Sequence, residues 1–165
     1  MAHLLPEYKF IRDVIRYVLS EYWPGTHWTP SGMFLVQDSD SPFTPVVQET
    51  IKTILDDNAV DFHRSYDEYF PDKNITPHQH YELCKDKSES LTEGEYEDVI
   101  YVFIFMCACL SLFTALSVLY GVDAAPIVTH RLILRYFESL KYANVITDSF
   151  WDDFQLACSQ CREKS

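Results

Sequence analysis

VIYVFIFMCACLSLFTALSVLYGV, from Val99 to Val122, carries no charged residue, and Asp98 and Asp123 stand at its two ends. Its length suits a membrane span, since about 20 apolar residues cover a bilayer core. A spanning helix is normally anchored by Lys or Arg on its cytoplasmic side. Here the flanks hold Glu93, Glu95, Glu97 and Asp98 before and Asp123 after, and no basic residue follows until Arg131. Ser111, Thr114 and Ser117 within the run are expected to bond back to carbonyls of their own helix. The segment is therefore expected to be the buried axis of a bundle, provided the rest of the chain can wrap it.

The surrounding sequence supplies the wrapping. Residues 8 to 22, YKFIRDVIRYVLSEY, place Ile11, Ile15, Val18 and Tyr22 at helical spacing, and Pro24-Gly25 stops the helix. A long surface loop is expected over about 24–44. Thr44-Pro45 reads as a cap with proline at the first helical position. Val47, Ile51, Leu55, Phe62, Tyr66 and Phe70 follow in a stripe, ended by Pro71 and Asn74-Ile75-Thr76-Pro77. Residues 78 to 91 form a weaker, charged helix. Beyond the central run, residues 98 to 120, Gly121 and Pro126 turn into a helix carrying Val128, Leu132, Tyr136 and Leu140. Asp148-Ser149 then caps a last short helix with Phe150, Trp151 and Phe154. No stretch alternates as a strand does. The fold class is all-α, a single domain over 1–165 with amphipathic helices around one apolar helix.

Composition narrows the partners. A net charge of −12 speaks against nucleic acid, whose phosphates need clustered Lys and Arg, and against an anionic membrane surface. No basic segment leads into an apolar one near Met1, so no signal peptide is read. Of the five cysteines, Cys107 and Cys109 are expected to be reduced core thiols. The Cys158-x-x-Cys161 pair lacks the further ligands a zinc site needs. His78 and His80 are expected in solvent rather than on a metal, and Trp151 with Asp152 reads as structural. There is no Ser/His/Asp spacing, phosphate loop or nucleophile elbow, so neither an enzyme nor a cofactor is expected.

Three segments together resemble the B-cell lymphoma 2 (Bcl) family of apoptosis regulators over residues 8 to 158. IRDVIRYVLSEYW resembles its opening homology segment. In TPVVQETIKTILDDNAVDFHRSYDEYF, Phe62, Arg64, Tyr66 and Phe70 match the family's aromatic spacing, and ITDSFWDDF resembles its second homology segment through Ile146, Asp148, Trp151, Asp152 and Phe154. The family's Asn-Trp-Gly-Arg is replaced by Glu95, Tyr96, Glu97 and Asp98. In the family that arginine meets an aspartate of the partner's death-motif helix. Two carboxylates about 4 Å apart would instead repel by about 1 to 4 kcal/mol. Arg64, Lys85 and Lys87 are candidates for the missing cation.

The resemblance implies a Bcl-like bundle that inhibits apoptosis by holding the death-motif helix of pro-apoptotic relatives in a hydrophobic groove, with narrow partner range. Phe62, Tyr66, Phe70, Leu83, Tyr101 and Phe105 would take the ligand's apolar positions, with Glu95 and Asp98 at the lip. Leu55 to Phe62 is not expected to serve as a donated death-motif helix, because Val60 stands where its Asp should be. The chain shows no apolar tail, which suggests a virus-encoded version acting in the host cytosol or at the mitochondrial surface. A homodimer through the apolar groove is a further expectation. The alternatives are a host-signalling decoy that binds through another face of the same fold, and a single-pass membrane protein.

Overall fold

The computed structural model describes residues 5–93 and 98–163. Glu95, Tyr96 and Glu97, expected at the groove lip, lie outside the described residues. Six α-helices follow in order: α1 (Pro6–Tyr17), α2 (Pro45–Tyr69), α3 (Pro77–Thr92), α4 (Val99–Leu119), α5 (Ala125–Tyr142) and α6 (Phe150–Glu163). No strand occurs among the described residues. The chain is a helical bundle, and its axis is α4.

Every residue of α4 from Val102 to Ser117 is buried except the half-buried Phe105. Among the described residues α4 alone is long and apolar enough to cross a membrane, and 78% of its most apolar 18-residue window is covered by the chain itself. The cover comes from α1, α2, α3 and α5, with α5 packed against both α1 and α3, while α6 packs against α2. Each large side chain so enclosed contributes about 1.5–3 kcal/mol, which is why an all-apolar helix is stable at this position. Asp98 caps α4, its carboxylate accepting the Tyr101 N–H at 3.1 Å. The helix stops at Gly121, whose φ of +92° is a left-handed conformation that glycine adopts without a Cβ clash.

Local chemistry departs from the sequence-based expectations at four places. First, the segment 18–22 that ends the first helix is a single π-helical turn, closed by the Trp23 N–H on the Val18 carbonyl at 2.8 Å. Second, Thr44 occupies the N-cap position of α2 but does not cap it, because its hydroxyl hydrogen-bonds Gln155 of α6 at 2.7 Å. Third, α3 opens on a capping box between Thr76 and Gln79, with bonds of 3.1 and 2.9 Å. Fourth, the loop over 24–44 is not a plain surface segment. It contains two short 3₁₀ turns, Pro24–Thr26 and Gly32–Leu35, and buries Phe34.

Three cations of α1 pin that loop. Arg16 donates to the carbonyls of Phe34 and Val36, and Lys9 reaches Asp40 at 2.9 Å. Arg12 is fully buried, paired with its neighbour Asp13 at 2.9 Å and with Asp38 at 3.2 Å. Removing one side of such a buried pair typically costs about 3–5 kcal/mol, so the loop is an integral layer over α1.

Candidate functional site

The two ends of α4 meet their neighbours differently. At the C-terminal end the contact with α3 and α5 is polar. His80 of α3 is completely buried, with Nδ1 2.7 Å from Ser117 Oγ and Nε2 2.8 Å from Thr129 Oγ1. Tyr66 of α2 joins through its hydroxyl, 3.0 Å from Ser117 Oγ, and Thr114 bonds both Thr129 and the Leu110 carbonyl. Cys84 Sγ closes the group at 3.5 Å from His80 Nε2. Burial lowers the His80 pKa to about 4 and raises that of Cys84 to about 12, so both are neutral at pH 7.

These contacts correct two expectations. His80 is a core residue, not a solvent-exposed one, while His78 is exposed and sits 2.8 Å from Glu82. Of the three polar residues in α4, only Thr114 bonds back to its own helix. Ser117 is taken by His80 and Tyr66, and Ser111 Oγ is buried without a partner. A buried hydroxyl left unpaired costs about 1–3 kcal/mol.

At the N-terminal end, α4 opens onto a pocket of about 420 Å³ between α2 and α6. Its floor is Ile54, Ile100 and Ile104, with Ala157, Cys158 and the exposed Cys161 from α6. Burial pushes the Cys158 thiol up to about 11, which keeps it protonated and inert. Tyr101 stands over the pocket with 53% of its surface exposed. Glu49, Asp57 and Asp98 complete the lining, and among the described residues no Lys or Arg does.

The residues expected in a groove divide between these two environments. Asp98 and Tyr101 line the pocket. Tyr101 stacks on Phe105 with ring centroids 6.1 Å apart, and Phe105 meets Phe62 edge-on at 5.3 Å, so these three form one aromatic row. Phe62 itself is almost fully buried. Tyr66, Phe70 and Leu83 are buried as well and belong to the closed end, where Tyr66 contacts Phe70, Phe113 and Tyr120. None of the three candidate cations reaches Asp98. Arg64 faces Asp61 at 3.4 Å and Lys85 faces Glu89 at 4.0 Å, both in solvent, and Lys87 does not line the pocket.

Pocket residues that sequence reading missed include Glu49, Ile54, Asp57, Ile100 and Ile104. Ile54 stands seven residues after Val47 and three after Ile51, so the helical period could have placed it on the buried face of α2. Trp151 lies half-buried in a cluster with Phe10, Phe103, Phe137, Phe150 and Phe154, which matches its structural reading. Comparison with protein-family models, curated proteins and solved structures finds no match to this chain.

Proposed function

We propose that this protein is a Bcl-like inhibitor of apoptosis that holds the death-motif helix of a pro-apoptotic relative in an apolar groove. The observation that supports it best is the coincidence of an open apolar pocket with Asp98 and Tyr101, at the end of the central helix where the resemblance puts the lip. The aromatic row through Phe105 to Phe62 extends that surface along α4. An amphipathic helix laid across it would present apolar anchors at i, i+3 or i+4 and i+7. The enclosure of α4 by its own chain supports action from the cytosol instead of through a membrane span.

Calorimetric titration with a panel of death-motif peptides tests the reading. Binding by at least one, weakened about tenfold or more by Tyr101→Ala, is the expected result. No heat from any peptide overturns it. Tyr66 is unsuited to this test, because a charge placed at a fully buried hydroxyl partner of Ser117 would unfold the protein.

A second reading, a decoy acting through another face, draws support from the burial of Phe62, Tyr66, Phe70 and Leu83, which leaves only Tyr101 and Phe105 accessible among the expected apolar contacts. Retention of full activity in a cell-death or signalling assay by Tyr101→Lys would favour it.

A further inference from the structure

We infer that the pocket between α2, α4 and α6 selects an amphipathic helix of a partner protein that carries Lys or Arg beside its apolar anchors. This rests on the groove reading above and adds the charge its ligand must bear. The floor is apolar through Ile54 and Ile104, so the anchor entering it is an aliphatic or aromatic side chain. The rim is Glu49, Asp57 and Asp98, contributed by two different helices.

None of the ion pairs among the described residues involves these three carboxylates. Lys52, which lies near enough to Glu49 to feel its charge, is bonded to Asp56 at 2.8 Å. Three carboxylates without an ion pair among the described residues, set around an apolar cleft, focus negative potential outward and attract a cation that arrives with an apolar anchor. The same rim disfavours an acidic ligand, because a carboxylate brought close to another is repelled. The ligand preference is therefore the inverse of what an arginine at position 98 would create. Asp98 has a double duty here, since its carboxylate caps α4 while its remaining charge faces the pocket.

The test uses two helical peptides with identical apolar positions, one flanked by Lys and one by Glu, titrated against the full chain. The expected result is binding of the Lys peptide at least about tenfold tighter at low salt. That preference should shrink as ionic strength rises and disappear in the Glu49→Gln, Asp57→Asn, Asp98→Asn triple variant, in which asparagine keeps the cap. Equal or tighter binding of the Glu peptide overturns the inference and leaves the groove reading intact. Binding of neither peptide, with none from the death-motif panel, removes both. A concentration-dependent dimer that buries Tyr101, seen by sedimentation and lost in Tyr101→Ala, would show a second copy as the occupant and also overturn it.

Discussion

One helix, two ends: α4 is apolar throughout, yet around Ser117 it is sealed by hydrogen bonds from three other helices, and around Tyr101 it opens to solvent beneath three carboxylates. The difference comes from the neighbours. His80, Thr129 and Tyr66 bring donors and acceptors that satisfy one another and Ser117, so that end can close over its polar groups. At the other end α2 and α6 bring Ile54 and Cys158 to the floor, and the charged residues of the lining, Glu49 and Asp57 of α2 and Asp98 at the start of α4, are all carboxylates. These carboxylates stay in solvent, and no hydrogen-bond network like that at Ser117 forms over the floor among the described residues.

The largest effect that would sharpen this contrast is a cavity in each half. Phe113→Ala, at the fully buried closed end, is expected to cost about 3–5 kcal/mol, whereas Phe105→Ala at the half-buried end should cost about half as much. Urea denaturation of both variants measures this, and equal losses would break the distinction.

Acid should act next, and on the closed end. Free histidine titrates near pH 6.5 and buried His80 near 4, so between those values the unfolded chain binds the extra proton. Stability is then full above the window and falls by about 3 kcal/mol as pH drops through it, with buried His130, its pKa also lowered by desolvation, adding in the same direction. Thermal or urea unfolding from pH 7 to 4 reads this out. In a variant with His80→Gln, most of that slope should vanish.

A smaller change separates the two tyrosines. Tyr66→Phe removes a buried bond to Ser117 and should lower stability by about 1–2 kcal/mol, while Tyr101→Phe, whose ring is half exposed, should be neutral in the same denaturation assay. The smallest effect is at the cap: Asp98→Ala is expected to cost about 1 kcal/mol and Asp98→Asn only a few tenths. If Asn costs as much as Ala, the charge and not the cap is what stabilises α4 there.

The legibility of the molecule followed the range of the interactions involved. Helix periods, the Pro24 stop and the uncharged length of α4 are local properties, and the six helices formed where those signals stood. Thr44 and Ser117 were misread because their hydroxyls bond residues that lie 111 and 37 positions away, Gln155 and His80. His80 was misread for the same reason, since a PHQH segment gives no sign that Thr129 and Ser117 will meet it. Of the residues expected in a groove, Asp98 and Tyr101 line the pocket with Ile54 and Ile104, whereas Phe62, Tyr66, Phe70 and Leu83 are buried.

By itself, the amino-acid sequence determined an all-helical chain, a single apolar axis and an acidic surface, because spacing and charge are written residue by residue. Which end of that axis would be closed, and which carboxylates would share a pocket, was decided only in the folded bundle. There, side chains far apart in sequence are brought within bonding distance, and hydrogen bonding and repulsion between them set the outcome.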